Sequence, residues 1–74
     1  MRQERVFPGQ RVYNAAPDTF YLRQGTIRST WHSYNQLQTF NIEWDSELTI
    51  GSWTYPAGLM GFTADEARYF EVSP

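Results

Sequence analysis

His32 is the only histidine of this 74-residue chain, and the chain has no cysteine. It is therefore the one side chain whose ordinary titration falls near neutral pH. Nucleophilic catalysis needs a nucleophile, a base and a group that orients the base. His32 sits among Ser33, Tyr34 and Asn35, a polar run that reads as a hairpin tip. A tip does not exclude water, so His32 reads as a surface residue and not as a general base. Without cysteine there is no thiolate metal site and no disulfide framework. Glu43, Asp45 and Glu47 alternate in sequence. Calcium asks for six or more oxygens in a shaped loop, and no such loop motif is present, so these acids read as a solvated rim. Asp65 and Glu66 fall at a helix start, where carboxylates suit the dipole. The expectation is a chain with no enzyme activity, no metal and no cofactor.

Aromatic rings carry the remaining chemical signal. Thirteen of the 74 residues are Phe, Tyr or Trp. Large rings bury much area per residue, which lets a short chain hold a core. Phe40, Ile42, Trp44, Val12, Ile27 and Val72 form the expected core, helped by Leu48, Phe62 and Phe70. Tyr13, Phe20, Tyr21, Tyr34, Trp53 and Tyr55 are left over. They either patch a thin core or form a contact surface, where Tyr and Trp are enriched.

The elements that place these residues follow from alternation and turn signals. Residues 38–44 alternate Phe40, Ile42 and Trp44 with Thr39, Asn41 and Glu43. Period two marks a strand with one buried and one wet face, and this is the expected central strand. Residues 1–7 read as a polar lead-in, and Pro8-Gly9 as a turn. Residues 10–14 form a first strand with Val12 inward. Residues 15–19 form a loop around Pro17 and Asp18; residues 20–22 are a short strand or an ordered arm of it. Residues 26–31 form a second strand, with Ile27, Ser29 and Trp31 on one face. Residues 32–36 are the tip of a hairpin into the central strand. Residues 48–55 read as a fourth strand. Leu48 and Ile50 lie on one parity there and Trp53 and Tyr55 on the other, so the two rings point outward unless Gly51 marks a bulge. Residues 56–58 end that strand, and Gly61 allows another tight bend. Thr63 and Glu66 have capping-box spacing, followed by a single 3₁₀-like turn. Residues 70–72 close the fold as a last strand.

Composition narrows the classes further. No run of eighteen apolar residues suggests a membrane span, and the first residues do not read as a secretory signal. A soluble, cytoplasmic protein is expected. The net charge is −2. Residues 1–30 carry five Arg against Glu4 and Asp18, while the remainder carries Arg68 against six acids. Lysine is absent. That balance does not favour nucleic acid, whose binders show a strong basic excess.

Short strands, a long loop after the first, a hairpin between the second and third and a helical turn before the last give the order of an SH3-like barrel. The expected fold is therefore all-β, a single five-stranded SH3-like barrel spanning residues 1–74. Within it, Pro8-Gly9-Gln10-Arg11-Val12, Asp18-Thr19-Phe20-Tyr21 and Gly25-Thr26-Ile27 resemble the start of small SH3-like accessory proteins of photosynthetic electron transport. This group includes the small E component of photosystem I and the ferredoxin-binding S component of the photosynthetic NAD(P)H dehydrogenase-like complex. The resemblance implies docking of an acidic redox protein, for which Arg11, Arg23 and Arg28 are the available cations. Read from its residues, the chain is a protein-interaction module, an accessory or inhibitory subunit that docks on a larger partner. Its expected contact face is Tyr21, Trp53 and Tyr55, with Asp65 and Glu66 at the rim. An electron-transport accessory and a nucleic-acid-binding barrel are the alternatives. The partner and the oligomeric state are left open.

Overall fold

The computed structural model describes residues 1–14 and 23–73. They form seven strands and two short 3₁₀ helices. The strands are β1 (Arg11–Asn14), β2 (Arg23–Ser33), β3 (Gln36–Trp44), β4 (Leu48–Ile50), β5 (Trp53–Tyr55), β6 (Gly58–Thr63) and β7 (Phe70–Val72); the helices are η1 (Gln3–Arg5) and η2 (Ala64–Tyr69). The protein is all-β. A five-stranded sheet runs in the order β6-β3-β2-β1-β7, and β4 pairs only with β5 in a separate ribbon. Every ladder is antiparallel. No ladder among the described residues joins β6 to β7.

The alternation of β3 sets the core. Phe40, Ile42 and Trp44 are all buried, as are Val12 on β1 and Ile27 on β2. The rings of Phe40, Trp44, Phe62 and Phe70 gather with centroids 4.8 to 6.4 Å apart. Edge-on and tilted ring pairs of this kind add about 0.5–1.5 kcal/mol each beyond the area they bury.

Two bulges break the simple parity of the central hairpin. Ile27 pairs with Ile42 but Ser29 pairs with Asn41, leaving Arg28 as an extra residue on β2. The bulge turns Ser29 and Trp31 to the outer face, and Trp31 is 60% exposed. Ile27, Ser29 and Trp31 therefore do not share one face, contrary to the sequence expectation. At the far end Trp31 pairs with Thr39 and His32 with Leu37, so Gln38 is the extra residue on β3. That flip brings Leu37 into the core. The turn is tighter than residues 32–36: Ser33 pairs with Gln36, and Tyr34 (φ 52°) and Asn35 (φ 62°) are its two central residues. Two positive φ values define a type I′ turn, whose twist matches that of the strands.

Three further expectations are corrected. Residues 48–55 are not one strand with a bulge. Gly51, at φ 60°, and Ser52 form a two-residue turn between β4 and β5. A positive φ at the first central position alone is the type II′ pattern, which favours glycine there. Gly61 does not bend the chain. It lies within β6 opposite Asn41, where a Cβ would come within 3.1 Å of Asn41 Oδ1. Residues 1–7 are more than a polar lead-in, because Val6 is buried and Met1 packs on the core. The amino group of Met1 donates to the Phe70 carbonyl at 2.6 Å.

The capping box forms as its spacing suggests. The Thr63 backbone N–H and hydroxyl donate to Glu66 Oε1 at 2.9 and 3.1 Å. These bonds satisfy the start of η2, whose buried face is Ala67. Among the described residues no helix is long and apolar enough to cross a membrane.

Candidate functional site

The β4–β5 hairpin is short because Gly51 permits a two-residue turn, and that turn decides which side chains share a face. Ile50 pairs with Trp53, Leu48 with Tyr55, and Thr49 with Thr54. Directly opposed residues of an antiparallel pair lie on the same side. Leu48, Ile50, Trp53 and Tyr55 thus make one apolar face, and the two threonines make the other. The threonine hydroxyls are 3.1 Å apart. The Trp53 and Tyr55 rings meet edge to face at 6.2 Å. Ile50 is 52% exposed and Trp53 66%. This is a ridge of apolar surface on an element too small to bury it.

Arg23, at the start of β2, holds the base of that hairpin. It is only 5% exposed, the one charged residue of the described core. Its Nη1 donates to the Pro56 carbonyl at 3.0 Å and to the Ser46 carbonyl at 3.4 Å. Those carbonyls lie on either side of the hairpin, just after β5 and just before β4. The guanidinium stacks 4.3 Å from the centroid of Trp44 and 5.9 Å from that of Tyr55. A flat, weakly hydrated cation suits such a place between rings. Burial lowers the Arg23 pKa, partly opposed by the electrostatic effect of Tyr55. Arg23 Nε and Trp44 Nε1 are both buried without a hydrogen-bond partner among the described residues. Sequence reasoning places Arg23 among exposed cations. Nothing in the adjoining Gln24-Gly25-Thr26 signals the burial.

The other expected contact residues lie elsewhere or outside the described residues. Tyr21 and Phe20 belong to the latter. Asp65 and Glu66 sit on η2, which packs on β3, β6 and β7. The Glu66 carboxylate is taken up by Thr63. Asp65 lines an open groove of roughly 980 Å³ with residues of η1, Asn35 at the hairpin tip, and Arg68. Trp53 and Tyr55 do not line it. The structure brings Trp53 and Tyr55 together, and separately places Asp65 and Glu66 side by side on η2.

Two ion pairs form among the described residues, Arg11 with Asp45 and Arg28 with Glu43. Arg11 meets both carboxylate oxygens of Asp45 at 2.6 and 3.0 Å. Its Nη1 also donates to Thr26 Oγ1, and its Nη2 to Gln24 Oε1. The Arg11 hydrogen bonds hold the Asp45 pKa below its ordinary value, with burial opposing and the charges of Arg11 and Arg28 assisting. Arg28 donates to Glu43 Oε1 through Nη2 at 2.9 Å and Nε at 3.1 Å. Two of the three acids at the end of β3 therefore face arginines. His32 lies exposed on β2 beside the tip. Comparison with known proteins finds no matching family model, no matching curated protein and no matching solved structure.

Proposed function

We propose that this chain is a non-enzymatic protein-interaction module of SH3-like barrel architecture, an accessory or inhibitory subunit docking on a larger partner. The observation that carries the reading is the β4–β5 ridge. A lone two-stranded hairpin is marginal in water, and this one turns Ile50 and Trp53 outward while Arg23 fixes its base. Holding an apolar face rigid and exposed lowers the ordering cost of binding. The architectural reading is supported by the strand order, with a hairpin between β2 and β3 and a 3₁₀ turn before β7. The β4–β5 ribbon is then an insertion between the third and fourth strands of the sheet.

Seating an acidic redox protein is less well supported by the same geometry. Arg11 and Arg28 already face carboxylates, and Arg23 is buried. Docking on the hairpin requires no ion pair to be broken. The test is recovery of the partner from the native host by pull-down, followed by calorimetry with Trp53→Ala. Loss of at least about 2 kcal/mol of binding, the scale of a hot-spot ring, is expected with an unchanged melting curve. Unchanged affinity would place the contact face elsewhere.

A further inference from the structure

One edge of the five-stranded sheet is unguarded. β6 pairs with β3 along one side, and no described strand pairs with its other side. An open edge is a template for another strand unless charges, proline or a bulge blunt it. The six residues of β6, Gly-Leu-Met-Gly-Phe-Thr, contain none of these. The ladder to β3 runs without a register break from Thr39–Thr63 to Trp44–Gly58.

We infer that β6 pairs antiparallel with β6 of a second copy of this chain, about a two-fold axis at Gly61, and extends the sheet across the dimer. The strand is its own complement in that register. Residues equally distant from Gly61 face each other, so Met60 meets Phe62 of the second copy on the inner side. Leu59 meets Thr63 on the outer side. Every pair keeps its proper face, as an antiparallel ladder requires. Leu59 is 64% exposed in the single chain. In the dimer it shares a cross-strand row with Thr63, Thr39 and Trp31 of the other copy, since Thr63 pairs with Thr39 and Thr39 with Trp31.

Charge favours a second copy as the occupant. No charge lies on either strand at the junction. The nearest ladder carboxylate, Glu43, stands opposite Leu59 and is paired with Arg28. From strand spacing and rise, the two Glu43 backbone positions fall about 20 Å apart, beyond the screening length at physiological salt. The two Glu43 carboxylates are therefore screened from each other, and an isologous interface needs only one surface. The hairpin ridge is not used, so this assembly stands apart from the proposed docking.

Sedimentation equilibrium across a concentration series tests the inference, with covalent trapping as the second measurement. The chain has no cysteine, so a Leu59→Cys/Thr63→Cys double variant can form only engineered disulfides. Within one chain these positions lie about 13 Å apart along the strand, too far to bridge. Between copies, directly opposed Cα atoms are about 4.5–5.5 Å apart, within disulfide range. Oxidation should convert the double variant to a covalent dimer and leave Leu59→Cys alone mostly uncoupled. Leu59→Lys, an outward edge charge, should weaken dimerisation at least tenfold with unchanged circular dichroism and melting. A parent that sediments as one chain throughout, or a dimer that Leu59→Lys leaves intact, overturns the inference. So does a dimer lost in Trp53→Ala but kept in Leu59→Lys, which would assign the contact to the hairpin.

Discussion

β3 and the β4–β5 hairpin are both amphipathic, and they dispose of their apolar faces in opposite ways. β3 lies between β2 and β6, so its apolar face closes over the core and its outer face carries Thr39, Asn41 and Glu43. The hairpin has a single ladder and no sheet behind it, so Ile50 and Trp53 remain in solvent. The ladder registers say which residues share a face. Whether that face is buried depends on what the topology brings against it. A ring in β3 is thus held by packing on several strands, while a ring in the hairpin is available to another molecule.

The largest expected effect tests the buried side of that contrast. Trp44→Ala should cost about 3–5 kcal/mol, the range for a buried large ring, a large share of the stability of a small domain. Trp53→Ala should change stability by no more than about 0.5 kcal/mol, as for exposed positions. Thermal melting of the two variants reads the difference directly. Equal losses would erase the distinction between the regions. Gly25→Ala comes next. A Cβ there would lie 2.6 Å from Ile42 Cγ2, 2.8 Å from the Glu43 carbonyl and 2.9 Å from Trp44 Cε3. The carbonyl belongs to β3 and cannot swing away, so overpacking should cost about 1–3 kcal/mol in chemical denaturation.

The contrast also explains what can be read from sequence. β3 is legible because its buried and wet faces differ residue by residue, and Phe40, Ile42 and Trp44 follow directly. The capping box at Thr63 and Glu66 is legible because it depends only on local spacing. The hairpin is not, because Gly51 suits a bulge and a type II′ turn equally. Both put Trp53 on the Leu48 face, but a bulge would keep that face in one continuous strand, whereas the turn folds it into a separate ribbon. Trp31 defeats the pattern for a related reason. The bulge at Arg28 is set by pairing with β3, and nothing in residues 26–31 announces it. Arg23 is the least legible, since its burial depends on two carbonyls and two rings from distant parts of the chain.

Arg23→Met sharpens the comparison at the point where the regions join. The variant removes a desolvated cation whose Nε has no partner among the described residues, and it also removes the donor to Ser46 and Pro56. These effects oppose each other, so the net loss should be about 1–2 kcal/mol, near that of one charged hydrogen bond. The decisive readout is local. Amide exchange at the Thr49–Thr54 ladder should accelerate far more than exchange in β3, because the hairpin has no other sheet to hold it. Uniform acceleration would mean that Arg23 supports the core and not the hairpin.

The smallest effect concerns Arg11 and Asp45, an ion pair whose side chains are 39% and 50% exposed. Exposed pairs contribute about 0.2–1 kcal/mol, and the doubled hydrogen bond places this one toward the upper end. The Asp45 pKa is lower in the folded chain than in the unfolded one. The pair's contribution is therefore present in full above the unfolded carboxylate value and is lost as pH falls through the folded value. Asp45→Asn should lower stability slightly at neutral pH and make the acid limb of the stability curve shallower. The difference from the parent should shrink in high salt, because exposed charges are screened. The Asp45 backbone N–H also donates to the Gln24 carbonyl at 3.0 Å, a bond that the substitution leaves in place, so the comparison isolates the side chain. A variant difference that persists unchanged below the carboxylate range would show that the pair holds the β3 end by geometry and not by charge.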